Sequence, residues 1–262
     1  MNSLGRIFMI RRGLPVVLAL LVLCSICMPC AAGQEQKEHE WGYSGKEGPA
    51  NWGDVKPGFA TCKTGQHQSP IDIRGAKSSE LPAIQFDYKP AALRIINNGH
   101  TVQINYAPGS FITIGEKRYE LKQFHFHHPS EEKINGKNFP MVAHLVHSDA
   151  DGNLAVVAVL LKEGAANPLI ETLWGLAPKT AGPEKTGDNL QINVADLLPS
   201  SRGYYTFTGS LTTPPCTEGV SWFVLKTPTT ISSKQLATFG GIYAHNARPT
   251  QSLNGRTVLE SK

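Results

Sequence analysis

Short runs of β-branched and aromatic residues, separated by turn signals, dominate this chain and predict strands. The predicted strands are Leu93–Asn97, Thr101–Tyr106, Phe111–Ile114, Tyr119–His127, Met141–His147, Leu154–Lys162 and Gly219–Leu225. The turn signals between them include Asn98-Gly99, Asn135-Gly136 and Asp151-Gly152. The segment Leu154–Leu161 is apolar at every position, which predicts a strand in the middle of a sheet with both faces buried.

Helical signals are fewer and weaker than the strand signals. The predicted helices are Pro168–Leu176 and Ser232–Phe239, and each begins at a residue typical of a helix start. Residues 41–262 have an even composition with no repeat and no second linker, so we expect one domain with a substantial core. The expected fold class is mainly β with short helices (α+β).

The N-terminal residues 1–32 have the pattern of a secretory signal peptide. Three arginines precede the apolar run Leu14–Met28, and the small residues Ala31 and Ala32 follow it. An uncleaved membrane anchor is the alternative, but the apolar run is shorter than the ~20 residues that span a bilayer. Residues 33–40 form a polar linker. We therefore expect an exported protein, periplasmic or secreted, without a stable membrane anchor after removal of the signal.

The charge balance of the mature chain is close to neutral. The whole sequence has 25 basic and 21 acidic residues; the signal contains three arginines and no acid, which leaves 22 against 21. No run of Lys and Arg remains that would bind nucleic acid or an anionic membrane surface. A small or uncharged ligand fits this composition better.

Cysteine usage agrees with export. Three of the five cysteines lie in residues 1–32, which leaves Cys62 and Cys216. Two cysteines in an exported chain predict one disulfide, and two unpaired buried thiols are the alternative.

Three histidines form the strongest candidate site. His125 and His127 are two residues apart on a predicted strand, so their side chains leave the same face. His144 lies on the predicted strand that follows the Asn135-Gly136 turn, and it can complete the set if the two strands are neighbours. Taken singly, a histidine is more often an ordinary core or surface residue. Three imidazoles without a nearby cysteine suit one Zn²⁺ with an open fourth position, which is typical of a catalytic site.

Several motifs together resemble the α-class carbonic anhydrases, in particular an exported, bacterial type. The motifs are Trp41-Gly-Tyr43, Gln68-Ser-Pro-Ile-Asp72, Asn97-Asn-Gly-His100, the QFHFH and AHLVH runs around the three histidines, Ser210-Leu-Thr-Thr-Pro-Pro-Cys216, Trp222 and Asn246-Ala-Arg-Pro249. The resemblance implies a twisted, largely antiparallel sheet of about ten strands around a conical cavity with zinc at its foot. It also implies reversible hydration of CO₂ to bicarbonate and a proton by attack of zinc-bound hydroxide.

Matching positions implies roles for individual residues. The implied zinc ligands are His125, His127 and His144. Thr212 corresponds to the hydroxyl that accepts a hydrogen bond from zinc-bound hydroxide, and Glu131 accepts one from Thr212 in turn. A Thr212 hydroxyl that donates to Glu131 can only accept from the hydroxide, which orients it. A solvated turn carboxylate is the alternative for Glu131. Thr213 is expected to line the bicarbonate site, with a plain strand threonine as the alternative.

Substrate and proton are expected to use different parts of the cavity. The residues at the family's positions for an apolar CO₂ wall are Val146, Val156, Leu211 and Trp222, and plain core packing is the alternative for each. His100 holds the position of the proton carrier, and the residues expected to order the water chain are Tyr43, Asn98 and Gln103. An exposed turn histidine is the alternative for His100. The other histidines receive no role in the reaction: His39, His67, His128, His245, and His147, which is expected in the core.

The chain departs from the family pattern at the support of the third ligand. Many members place a Glu two residues before that histidine, whereas this chain has Val142, which accepts no hydrogen bond. The same members commonly have a His where this chain has Glu132. We therefore predict that Glu132 accepts the second N–H of His144, directly or through one water, and that Gln123 also supports a ligand. In the alternative, Glu132 is solvated and His144 bonds to a backbone carbonyl.

Two other functional classes are weighed against catalysis: a non-catalytic binding module on the same fold, and an exported zinc-sequestering protein. The first would lack a ligand histidine or the Thr212–Glu131 pair, and the second would tolerate loss of Thr212. The sequence retains all of these residues. A homodimer is left open.

Overall fold

The computed structural model describes residues 40–262. The predicted signal peptide, and the predicted linker up to residue 39, lie outside the described residues. In residues 40–262 no helix combines the length and hydrophobicity needed to cross a membrane.

Strands account for most of the regular structure. The strands are β1 (Asp72–Ile73), β2 (Lys77–Ser79), β3 (Ile84–Asp87), β4 (Ala91–Asn97), β5 (Val102–Asn105), β6 (Phe111–Ile114), β7 (Lys117–His127), β8 (Lys133–Ile134), β9 (Lys137–Asn138), β10 (Met141–Ser148), β11 (Leu154–Glu163), β12 (Lys185–Ile192), β13 (Tyr204–Ser210), β14 (Glu218–Leu225), β15 (Thr229–Ile231) and β16 (Leu259–Ser261). The α-helices are α1 (Trp52–Val55), α2 (Thr61–Thr64), α3 (Pro168–Leu176) and α4 (Ser233–Gly240). Short 3₁₀ turns cover Gly45–Glu47, Pro57–Phe59 and Val194–Leu197. The predicted class, mainly β with short helices, is confirmed.

Most of the described strands form one large, open, twisted sheet of 13 strands. Its main path has the order β12-β4-β5-β7-β10-β11-β14-β13-β16-β2, and β15, β3 and β6 pair alongside it. Most pairs are antiparallel, but β11–β14, β11–β15 and β16–β2 are parallel, so the sheet is mixed. The remaining strands β1, β8 and β9 form a small separate sheet.

The wholly apolar strand lies in the middle of the sheet, as predicted. β11 pairs with β10 on one side and with β14 on the other. Residues 155–161 of this strand are all buried, because both faces of the sheet are covered there. A continuous apolar run is the expected sequence of such a strand.

The Asn135-Gly136 turn is present, but it closes a smaller hairpin than the one between the ligand strands. It connects β8 to β9, with Asn135 at φ 50° and Gly136 at φ 83°. Both values lie in the left-handed region that two-residue hairpin turns require. The connection between β7 and β10 therefore contains a small hairpin of its own.

The sequence analysis missed nine of the strands in the described residues: the longer strands β12 and β13, and the short strands β1, β2, β3, β8, β9, β15 and β16. β12 reads Lys-Thr-Gly-Asp-Asn-Leu-Gln-Ile and lacks an alternating apolar face, and it is held by an irregular pairing with β4. β13 contains Tyr204, Tyr205 and Phe207, which are good strand formers, so its signal was present in the sequence. A local sequence pattern does not predict a strand such as β12, whose formation depends on pairing with a segment far away in the chain.

The two predicted helices begin where their caps place them. The side chain of Asn167 accepts a hydrogen bond from the backbone N–H of Ile170, and Pro168 occupies the first turn of α3. Ser232 and Gln235 form a reciprocal capping box at the start of α4. Such caps satisfy backbone donors that the first helical turn leaves unpaired.

The sheet separates two apolar clusters, and the alternation along β10 decides which residues reach each one. Ala143 and Leu145 belong to the larger cluster, which includes the buried side chains of α3 and α4. Val142 belongs to the smaller cluster on the opposite face, and Val146 packs against that cluster. Because side chains alternate along a strand, His144 leaves the sheet on the same face as Val142 and Val146.

Candidate metal centre

Two neighbouring strands bring the three predicted ligands together. β7 and β10 pair antiparallel, with His144 directly opposite His125. His127 follows His125 at two residues on the same face of β7. One ligand nitrogen of each imidazole lies within 4.8 Å of those of the other two, and these three side chains form a group that could hold a metal ion.

The second nitrogen of each imidazole has its own acceptor, which decides which nitrogen faces the shared point. Nδ1 of His125 is 2.8 Å from Oε1 of Gln123. Nδ1 of His127 is 2.7 Å from the backbone carbonyl oxygen of Asn246. A carbonyl oxygen only accepts, so Nδ1 carries the hydrogen, and Nε2 of both histidines is left with a free lone pair.

The third histidine presents its other nitrogen. Nε2 of His144 is 2.9 Å from Oε1 of Glu132, so Nδ1 of His144 faces the shared point. The side chains of both residues are almost completely buried. Glu132 therefore does not point to solvent, and its carboxylate lies at the position that the sequence analysis assigned to it.

The donor set fits a zinc ion. Burial lowers the pKa of His125 to about 3 and that of His127 well below its ordinary value, so both imidazoles are neutral, as metal ligands must be. Nε2 of His127 is buried and has no hydrogen-bond partner in the protein. A buried ring nitrogen without a partner is costly unless it binds something, and a cation at the shared point satisfies it.

The neighbouring carboxylates Glu131 and Glu132 raise the pKa of the third histidine, His144. Burial lowers the pKa of His144, but the charge of Glu132, its hydrogen bond and the charge of Glu131 outweigh burial, so the pKa is raised overall. A carboxylate that accepts from the ring N–H makes the imidazole a stronger electron donor through its other nitrogen.

Glu131 lies beneath the site and contacts Thr212. Burial is the main effect on this carboxyl and raises its pKa to about 7, while a hydrogen bond with the Thr212 side chain acts in the opposite direction. Oε1 of Glu131 accepts from the backbone N–H of Arg248 at 2.8 Å. Oε2 is 3.5 Å from Nε2 of His127 and 3.8 Å from Nδ1 of His144. The predicted Thr212–Glu131 pair is thus adjacent to the ligand nitrogens.

The predicted proton-path residues line one cavity together with two of the ligands. This cavity is lined by Trp41, Tyr43, Asn98, His100, Thr101, Gln103, Gln123, His125, His127 and Thr213. The imidazole of His100 stacks on Trp41, with ring centroids 3.6 Å apart and planes within 4°. The hydroxyl of Tyr43 is buried, which raises its pKa well above the ordinary value. Thr213, predicted for the bicarbonate site, lies on the same wall.

The position of Gln103 follows from the sheet register. It lies directly opposite His125 on β5, and its Oε1 accepts from the side-chain amide of Asn98 at 3.2 Å. Oδ1 of Asn98 in turn accepts the backbone N–H groups of His100 and Thr101. The side chain of Asn98 therefore fixes the turn that presents His100.

The predicted apolar wall follows one row of residues across the sheet. Val146 is opposite Val156, and Val156 is opposite Trp222 on β14. Leu211 packs against the same cluster. The ring of Trp222 lies 4.9 Å from that of His144, between centroids. Val146, Val156 and Trp222 therefore adjoin the third ligand, and they lie on β10, β11 and β14, across β7 from Gln103 on β5.

Two functional residues in the Asn246-Ala-Arg-Pro249 motif received no role from the sequence. Asn246 orients His127 through its carbonyl, and its side-chain amide donates to the carbonyl oxygens of His100 and Phe126. Arg248 is buried, and its guanidinium donates to Gln68, Ser69 and Cys62. The motif was visible, but backbone acceptors and donors have no sequence signature of their own.

Trp41 is a third residue without a prior role. The sequence analysis used the Trp41-Gly-Tyr43 motif only for the resemblance, whereas the structure places its indole against His100. The stacking of Trp41 on His100 has no signal in the sequence, because the two residues come together only when their segments fold.

The remaining histidines lie outside the site, and His39 is outside the described residues. His147 is fully buried, with Nε2 2.8 Å from the Tyr88 hydroxyl, in keeping with the expected core position. His67 and His245 are exposed, and His128 bonds to the Ala244 carbonyl through Nδ1.

The two cysteines are joined in a disulfide, as predicted. Cys62 on α2 bonds to Cys216, 154 residues later, and both are buried. The backbone N–H of Cys216 donates to the carbonyl of Thr213, and Gln68 donates to the carbonyl of Cys216. The bond therefore fastens the N-terminal segment to the loop that carries Thr212.

Comparison with known proteins gives one consistent family. A family model described as eukaryotic-type carbonic anhydrase matches residues 47–262. A carbonic anhydrase of Nostoc sp. is 41% identical over 257 residues, which are 96% of this chain and 97% of the relative. A carbonic anhydrase of Neisseria gonorrhoeae is 44% identical over 251 residues, 95% of this chain and 98% of the relative.

Solved structures show the same fold. The α-carbonic anhydrase of Thermovibrio ammonificans, in complex with the inhibitor sulfanilamide, has a TM-score of 0.81 and 43% identity, covering 85% of this chain and 98% of its own. Dioscorin complexed with ascorbate has a TM-score of 0.79 and 33% identity over 85% of this chain and 98% of its own. Because the fold also accommodates that complex, the roles of individual residues have to be argued from the site itself.

Proposed function

This chain belongs to the eukaryotic-type carbonic anhydrase family, and we propose from its geometry which residues carry out each part of the reaction. The protein is a zinc enzyme that catalyses the reversible hydration of CO₂ to bicarbonate and a proton. A bound zinc ion acts as a Lewis acid and makes water nucleophilic at neutral pH. The residues that would hold it are His125, His127 and His144.

The Thr212–Glu131 pair orients the nucleophile. A carboxylate accepts but does not donate, so the Thr212 hydroxyl donates its hydrogen bond to Glu131 and turns a lone pair toward the site. The nucleophile then has one acceptor in a fixed direction, and its own lone pair points at substrate. Arg248 supports this role because its backbone N–H holds Glu131 in place at 2.8 Å.

The apolar wall receives CO₂. This substrate has no net charge and accepts hydrogen bonds weakly, so a wall of Val146, Val156, Leu211 and Trp222 binds it without removing a strongly hydrated group from water. The wall adjoins His144 through Trp222, so the substrate carbon is held beside the nucleophile. Thr213 lines the polar side, where the charged product forms.

His100 carries the proton to bulk solvent. An unperturbed imidazole exchanges protons near neutral pH, which suits a carrier between the site and buffer. It lies at the same cavity as Tyr43, Asn98 and Gln103, whose polar groups order the intervening water. Trp41 provides a flat surface against which the ring rests at the outer part of this path.

The observation that carries these assignments is the position of the buried Thr212–Glu131 pair beside three converging imidazoles, with Glu131 within 3.8 Å of two of them. A zinc-sequestering protein would need the imidazoles but not the hydroxyl relay. A binding module without catalysis would have no reason to bury an ionisable carboxyl next to the ligands.

We also propose that the protein is exported from the cytoplasm. The pattern of residues 1–32 and the buried disulfide both support an exported protein, periplasmic or secreted. N-terminal sequencing of the protein from a cell fraction outside the cytoplasm tests it, and an intact Met1 on a cytoplasmic protein would contradict it.

Zinc content and CO₂ hydration measured on the same purified protein test the function. We expect about one zinc per chain, loss of hydration after chelation, and recovery on adding zinc back. Full zinc occupancy without hydration would favour the sequestering alternative.

A further inference from the structure

We infer that Glu132 is the positioning residue for His144, and that the small sheet β1–β8–β9 holds its carboxylate in place. The inference rests on the proposed role of His144 as a zinc ligand. In this arrangement a loop residue, and not a residue of β10, accepts the hydrogen bond from the second nitrogen of His144.

The contact between Glu132 and His144 is short and buried. Oε1 of Glu132 lies 2.9 Å from Nε2 of His144, and neither side chain has more than 2% of its surface exposed. An ionised carboxylate only accepts, so Nε2 carries the hydrogen and Nδ1 keeps the lone pair for the metal. The bond therefore fixes both the tautomer and the direction of the ring.

The strand offers no acceptor of its own. Val142 precedes His144 by two residues and leaves β10 on the same face, so it is the neighbour of the ring along its own strand. Its side chain is apolar and fully buried in the smaller cluster. The group that accepts from His144 must therefore come from another segment.

The backbone around Glu132 is held on both sides. Lys133 begins β8, which pairs in parallel with β1, and its N–H donates to the Ile71 carbonyl at 3.2 Å. Before it, the Ser130 hydroxyl donates to the carbonyl of Glu132 at 2.7 Å. The same hydroxyl accepts from the N–H of Phe139, which lies just beyond β9. These hydrogen bonds hold the backbone on both sides of Glu132, which is the kind of support that a precisely placed side chain requires.

Glu131 and Glu132 then act as a pair of neighbours with different tasks. The first interacts with Thr212 and the second with His144. Two adjacent buried carboxylates repel each other, and a divalent cation between their partners offsets that cost. Displacement of the loop should therefore disturb the ligand and the hydroxyl relay together.

Zinc affinity, measured by competition with a chelator, separates this role from general stability. Glu132→Gln keeps the shape and an amide oxygen that accepts, but removes the charge. We expect zinc to bind about 10-fold more weakly, or more, which is the size of effect typical of lost outer partners of metal-bound histidines. Glu163→Gln is the matched control, since it removes the same charge from an exposed position of β11, and it should bind zinc like the unchanged protein.

A relocated carboxylate provides the rescue. In Glu132→Gln/Val142→Glu the charge returns on the strand, two residues from His144, and we expect zinc affinity within about 3-fold of the unchanged protein. A residue with only a structural role would not be replaced in this way. Thermal unfolding of each metal-free variant verifies that the fold is retained.

Nitrogen-15 NMR of the unchanged, zinc-loaded protein tests the geometry without any variant. We expect the His144 ring to carry its hydrogen on Nε2, with a proton resonance protected from exchange. A hydrogen on Nδ1, or zinc affinity of Glu132→Gln equal to that of Glu163→Gln, would overturn the inference. Either result leaves the proposed function standing if the unchanged protein still hydrates CO₂, whereas absence of hydration with normal zinc binding would remove only that function.

Discussion

The ligands of the candidate metal centre and the groups that orient them are built on different parts of the molecule. The three histidines lie on β7 and β10, inside the largest sheet, where ladder hydrogen bonds fix the backbone on both sides. Apart from Gln123, the orienting groups lie on loops: Glu131, Glu132, Thr212 and the carbonyl of Asn246. These loops are secured by the small sheet, the disulfide and the buried Arg248.

The difference separates binding from orientation. A sheet supplies a rigid spacing of ligands, and two residues on one strand with one on its neighbour are enough to bring three nitrogens together. Orientation needs an acceptor in line with the second N–H of each ring, and for His127 and His144 that acceptor comes from a loop. Changes to the strand ligands should therefore abolish metal binding. Changes on the loops should weaken it more modestly, as at Glu132, or leave the metal in place and slow the reaction, as at Thr212.

Removal of a strand ligand should have the largest effect. In His144→Ala only two imidazoles remain, and we expect zinc affinity to fall by roughly 10⁴-fold, well beyond the effect of a lost orienting partner. Chelator competition measures the affinity, with His67→Ala as the control at an exposed histidine. Tight zinc binding by His144→Ala would contradict the conclusion that the strand histidines, and not the loop residues, determine metal binding.

Removal of the disulfide should destabilise the loop that carries Thr212. Closure of a 154-residue separation predicts that Cys62→Ser/Cys216→Ser loses about 5 kcal/mol of unfolding free energy in the chain-entropy model. Urea unfolding followed by tryptophan fluorescence measures the loss. We also expect lower CO₂ hydration per bound zinc, because the loop carrying Thr212 is released. An unchanged unfolding free energy would show that the other contacts alone secure the loop.

Loss of the loop hydroxyl should slow the reaction and leave the metal bound. Thr212→Ala removes the acceptor that orients the nucleophile, and we expect CO₂ hydration to slow by roughly 100-fold with zinc content unchanged. Stopped-flow measurement with metal analysis on the same sample tests this. Thr217→Ala, an exposed threonine on the same loop, serves as the control. A zinc-free Thr212→Ala protein would refute the assignment.

The proton carrier should give the smallest effect, because it acts only after the bond to CO₂ has formed. In His100→Ala we expect maximal turnover in weak buffer to fall by about 10-fold, since solvent and buffer partly replace the imidazole. Added imidazole should restore the rate, and kcat/KM should change little. If imidazole fails to rescue turnover, another group on the cavity wall carries the proton.

Much of the fold was accessible from local sequence. The apolar run of β11 predicted a central strand, the proline and serine caps predicted α3 and α4, and the i, i+2 spacing of His125 and His127 predicted two ligands on one face. The strand β12 was missed because its polar sequence becomes a strand only through pairing with β4. The resemblance to a family supplied the positions of Thr212 and Glu131, which spacing alone does not reveal.

The sequence by itself determined which residue types could bind a metal, how far apart they lie along their strands, and that Val142 cannot accept a hydrogen bond from His144. Only the tertiary structure decided which nitrogen of each imidazole faces the site. That choice depends on a carbonyl of Asn246, 119 residues from His127, and on a carboxylate of Glu132 that the small sheet places beside His144. Every residue has the same backbone carbonyl, so the role of a particular carbonyl depends on its position in the folded chain. The side-chain pattern of a strand, in contrast, can be read directly from the sequence.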